Sequence, residues 1–200
     1  MRRQWLVVAA VGVPPLVLAG LGLVHPPLLT VETAAWFTAL HYLLMPLFAL
    51  LGVVVWVLLR NDRSAVGWAG RVAAVAYVVF YTGLDSVSGI GAGTAVLAGA
   101  DPKSEVVVSM FEAGRPLGVA GAYALFVAII LVLASQWRAG QRGWLFYGVS
   151  VVALVSGYLF TSGHIYWPKG VVAMLGLALS LSVVAALAEL RARRARSAPV

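Results

Sequence analysis

Six apolar runs, each about as long as a bilayer is thick, constrain this chain more than any other feature. A hydrocarbon core of about 30 Å takes roughly 20 helical residues rising about 1.5 Å each. Runs near 4–24, 35–59, 70–98, 117–137, 144–163 and 170–190 meet that length. They are continuous and lack the strict alternation of a transmembrane barrel strand. The expected fold is therefore all-α, a polytopic membrane protein built as a six-transmembrane-helix bundle. One domain spans 1–190, and 191–200 form a basic tail. Composition agrees: with 62% hydrophobic and 10% charged residues, too little polar surface remains to cover a soluble globule.

Arginine and lysine then orient the bundle. Arg2, Arg3, Arg60, Arg63, Arg71, Arg138, Arg142, Arg191, Arg193, Arg194 and Arg196 fall on one side of the alternating spans, against only Lys103, Arg115 and Lys169 on the other. The positive-inside rule places both termini in the cytoplasm. The run RARRAR, with Arg191, Arg193, Arg194 and Arg196, is a topology anchor and a candidate contact for anionic lipid. The basic residues are dispersed over short loops, so the net charge of +7 does not point to nucleic acid. MRRQ before an apolar run has the outline of a secretory signal, but the run is longer than a signal core, so an uncleaved span is expected.

The absence of cysteine excludes disulfides, thiolate metal sites, iron–sulfur clusters and cysteine nucleophiles. GIGAG has the spacing of a nucleotide loop without its strand or lysine, and reads as close helix packing through Gly89 and Gly93. Trp5, Trp36, Trp56, Trp68, Trp137 and Trp144 stand near span ends as an interfacial belt, and His164, Tyr166 and Trp167 admit the same reading. Haem is disfavoured, since His41 is the one histidine within a span. No cofactor is expected.

What remains is polar chemistry at one level. Counting from the span ends, His41 lies about 9 Å and Asp85 about 8 Å below the outer boundary. Asp85 interrupts a long uncharged stretch, with Tyr81, Thr82, Ser88 and Gly89 on its helical face, while Phe80, Leu84 and Val87 point toward lipid. An unpaired charge in hydrocarbon costs about 2.5 to 3.5 kcal/mol on insertion scales, so a partner is expected among His41, Arg115 and Lys169. Between spans three and four, DPKSEVVVSMFEAGRP reads as a short amphipathic outer helix, capped by Asp101 and ended by Gly114 and Pro116.

These residues suggest an outward-facing polar pocket bounded by spans two, three, five and six. The leading expectation is binding or transport of a small ligand, ion or proton, with Asp85 and His41 as the proton-handling pair. Tyr81, Ser88, Glu112, Arg115, His164 and Lys169 complete the candidate site. Two alternatives stand beside it. One is a membrane-embedded metal-dependent hydrolase using His25, His41, His164 and Asp85, although their spacing matches no metal motif. The other is a non-catalytic membrane interaction subunit. Oligomeric state is open.

FYTGLDSVSGIGAG, preceded by LHYLLMPLFALLG and followed by an outer turn containing GH, resembles uncharacterised small polytopic integral membrane proteins of high-GC Gram-positive bacteria. The resemblance implies a bacterial plasma membrane and a joint role for Asp85 and His41. It implies no particular chemistry.

Overall fold

A computed structural model describes residues 2–197, without the side chains of residues 2–4 and 196. It is all-helical, with no strand among the described residues. Six helices are long and apolar enough to cross a membrane. They are α1 (Arg2–Gly22), α2 (Ala34–Leu59), α3 (Ala65–Leu97), α4 (Glu105–Arg138), α5 (Trp144–Gly163) and α6 (Lys169–Ser197). Each packs against its neighbours in sequence, and α6 closes the ring on α1. Short connections between antiparallel helices produce this order. One apolar core, including Leu18, Leu44, Phe48, Ile129, Phe160 and Met174, runs through all six helices. Trp5, Trp68 and Trp144 are exposed near helix ends, as belt residues should be.

The two ends of the bundle differ in chemistry. At the arginine end, the last carbonyls of α2 lie beyond its own hydrogen-bond ladder. The Asp62 amide donates to the Leu59 carbonyl, and buried Arg71 of α3 adds donors there, at 2.5 Å to the Leu59 carbonyl and 2.9 Å to that of Asp62 in the following turn. Its guanidinium lies against Trp56 and Trp68. Gln136 of α4 donates to the Leu58 carbonyl, Ser135 to Asp62 and Arg60 to Glu189. The Ser135 and Ser64 hydrogen bonds hold the Asp62 carboxyl below its ordinary range. Arg191 donates to the Ala139 carbonyl, Arg193 and Arg194 are at least partly exposed, and the Arg196 side chain lies outside the described residues.

Two elements differ from the sequence expectation. The residues expected to form a separate amphipathic helix belong to α4, whose 34 residues run unbroken through Gly114 and Pro116. Gly114 does not end a helix; it is buried where α4 crosses α3, and an added Cβ would collide with the Ser88 hydroxyl. Asp101 accepts from the Lys103 amide in the preceding turn, and Ser104 takes the N-cap position. The second difference is in α3, where DSVSGIG, Asp85–Gly91, winds as a π-helix. In an α-helix, residues four apart drift by about 40° around the axis. The wider π turn takes up that drift, so Tyr77, Tyr81, Asp85, Gly89 and Gly93 keep one buried line over the bundle interior.

Candidate metal centre

Three histidines from three segments converge at the end of the bundle opposite Arg60, Arg71 and Arg191. His41 comes from the second turn of α2, and His25 from the connection between α1 and α2. His164 comes from the residue that ends α5, held at φ +42°, a conformation that L side chains rarely adopt. One ring nitrogen from each lies within 4.8 Å of the others. The ring centroids of His25 stand 5.1 Å from His41 and 5.6 Å from His164.

The remaining hydrogen bonds decide which nitrogens are available. Nδ1–H of His25 donates to the Pro26 carbonyl at 2.8 Å, and Nδ1–H of His41 to the Phe37 carbonyl at 2.7 Å. Because a carbonyl only accepts, both rings are fixed as the tautomer with a lone pair on Nε2. Nδ1 of His164 shares a 2.5 Å hydrogen bond with the Tyr81 hydroxyl. Every Nδ1 therefore has a partner, and the buried Nε2 of His25 has none. Burial, countered in part by the Pro26 carbonyl, lowers the His25 pKa to about 4. Burial, then the neighbouring His25 and His41, lowers that of His164 well below its ordinary value. Neutral imidazole is the form that ligates metal.

Close helix approach makes room for this cluster. Gly89 of the π turn lies against the His41 ring, where a methyl group would overlap ring atoms. One helical turn on, Gly93 meets Thr38 in the same way, as the small-residue reading expects. Phe37 and Phe48 flank the imidazoles, with centroids 4.3 Å from His41 and 5.2 Å from His164.

Beside the histidines opens a cleft of about 230 Å³, lined by Phe37 and His41 of α2, Leu84, Asp85, Ser88 and Gly89 of α3, Phe111 and Arg115 of α4, and the turn residues His164 and Tyr166. Asp85 is 1% exposed, and neither carboxylate oxygen has a hydrogen-bond partner. The expected pairing with His41, Arg115 or Lys169 is thus not made. Lys169 instead donates to Ser162 at 2.6 Å, outside the cleft. Glu112 is exposed and also outside it. Ser88 donates to the Met110 carbonyl at 3.1 Å, which ties α3 to α4. Tyr81 stands behind His164.

The cleft's walls differ from the expected set in that α4 contributes Phe111 and Arg115, while α5 and α6 reach it only through their connection. Leu84, expected to face lipid, lines it. Tyr166 is more than a belt residue, for its ring packs 4.5 Å from His25, whereas Trp167 next to it is exposed. Burial, then the charge of Asp85, pushes the Tyr166 phenol up to about 12. Sequence reading missed Phe37, Phe111 and Tyr166 as site residues; their signal, aromatics near span ends, is shared by every belt residue. Compared with protein-family models, with curated proteins and with solved structures, the chain matches none.

Proposed function

We propose that this chain is a membrane-embedded metal-binding protein, holding one divalent transition ion of the zinc type on Nε2 of His25, His41 and His164. The observation that carries this reading is the convergence of three imidazoles from separate segments, each with Nδ1 already bonded. Carbonyl or hydroxyl partners on the second nitrogen are what orient ligating histidines. Zinc–nitrogen bonds of about 2.0 to 2.1 Å require ligand atoms about 3.3 Å apart, so the three rings would close inward on the ion. Three protein ligands would leave a fourth position open beside the cleft that His41 and His164 line, the arrangement of a reactive rather than a structural site.

This reading displaces the Asp85–His41 proton pair as the leading one, since Asp85 makes no bond to His41. It keeps the histidine end as the outward-facing one, by the positive-inside rule, in a bacterial plasma membrane with both termini cytoplasmic. The basic tail at Arg191, Arg193, Arg194 and Arg196 then faces anionic inner-leaflet lipid. Uptake of an ion or small ligand through the cleft would add metal-dependent flux into proteoliposomes.

The test is metal content. Detergent-purified protein, stripped with EDTA and dialysed against zinc, is expected to retain one zinc per chain by plasma emission. His25→Ala, His41→Ala and His164→Ala should each fall well below that. A wild-type protein that keeps no zinc, or triple-histidine variants that keep as much as wild type, would overturn the proposal.

A further inference from the structure

A second depression adjoins the cleft. Phe37, Phe111 and Tyr166 are shared walls with this larger depression of about 600 Å³, lined also by Leu28, Leu29 and Val31 from the α1–α2 connection and by Pro102 from the α3–α4 connection. Its charged residues, Glu32, Asp101 and Lys103, carry both signs, so it has no strong preference for an ion. A polar cleft with a buried carboxylate, sharing three aromatic walls with an adjoining apolar groove, has the form of a site for a molecule with a reactive polar head and an apolar chain.

Resting on the metal reading above, we infer that the two depressions form one substrate site in which an amphiphilic carboxylic ester is hydrolysed. The ester lies in the cleft and its chain in the groove. Asp85 is the group that points to turnover. Its unbonded, buried carboxyl lines the cleft that His41 and His164 also line, and a metal cation held on the histidines would favour its ionised form, which can accept a proton. A metal on the three histidines polarises the ester carbonyl and brings the pKa of a water down to about 7. The water oxygen bonds to the acyl carbon while Asp85 takes its proton. The acyl carbon–oxygen bond then breaks, and Asp85 returns the proton to the departing alkoxide. Water and ester are consumed, an acid and an alcohol are released, and no oxidant or reductant is needed. One metal with one base suits attack on a planar acyl carbon; phosphoryl transfer commonly uses two metals. Arg115, the cation lining the cleft, can receive the charge that develops on oxygen.

The experiment compares p-nitrophenyl acetate with p-nitrophenyl laurate, using zinc-loaded full-length protein in detergent micelles. The laurate ester is expected to show at least a tenfold higher kcat/KM, and EDTA should abolish turnover of both. Asp85→Asn should lower kcat at least a hundredfold with zinc still at one per chain. Leu28→Arg, which places a charge in the groove, should lose most of the chain-length preference, again with zinc at one per chain. If zinc-loaded protein hydrolyses neither ester, hydrolyses both alike, or keeps its activity as Asp85→Asn, this inference is overturned and the metal centre stands. If zinc does not bind, the reading beneath it falls instead.

Discussion

Asp85 is the residue whose chemistry was most legible and whose surroundings were least so. A lone acid in an apolar stretch is expensive enough in hydrocarbon that burial among protein groups was expected, and it is buried. Its partner was not predictable, because His41, Arg115 and Lys169 all lay at a suitable depth by residue count. Side-chain direction separated them: His41 turns back to the Phe37 carbonyl, and Lys169 reaches Ser162. Tyr81 shows the complementary case. A candidate site residue by its place on the polar face of Asp85, it stands behind the cleft and positions His164 through a 2.5 Å hydrogen bond. Tyr81→Phe should therefore weaken zinc binding by about 10- to 100-fold, the usual cost of removing such a partner. Competition against a chelator of known affinity checks this, and wild-type affinity would mean that His164 is held by packing alone.

At the scale of elements, span number and approximate limits followed from hydropathy, since an apolar helix of bilayer length has few alternatives. α5 begins and ends where the apolar run does. The fourth span was misread at its start because Gly114 and Pro116 are stop signals for an isolated helix. Packing overrides them, for Gly114 is the point of closest contact with Ser88. The π turn had no sequence signature beyond its glycines, although it keeps Asp85 and Gly89 in line with Tyr81. Gly89→Ala tests that juxtaposition. Its methyl group would displace the His41 ring, so zinc affinity should fall at least tenfold while the protein still inserts and purifies as a folded species. Unchanged affinity would show that α2 and α3 can part at no cost to the site.

For the whole molecule, the charge asymmetry and the closed ring of helices place the histidines at one end, with Arg115, and Arg60, Arg71, Arg138 and Arg191 at the other. Topology is directly testable because the chain contains no cysteine. Leu28→Cys, in the exposed α1–α2 connection, should be labelled by a membrane-impermeant maleimide on intact cells. Asn61→Cys, in the α2–α3 connection, should be labelled only after lysis. The reverse pattern would invert the orientation and place the cleft on the cytoplasmic side.

By itself, the sequence determined the helical class, the number of helices long and apolar enough to cross a bilayer and the ends at which most of its basic residues collect. Those properties depend on transfer free energies and helix length, which are summed along the chain. Only the tertiary structure decided that His25, His41 and His164 meet. They belong to two connections and one span, with no ligand spacing between them, and their meeting depends on how closely glycine-faced helices approach. It likewise left Asp85 beside them without a partner, because hydrogen-bond direction is set by side-chain packing across helices rather than by order along one of them.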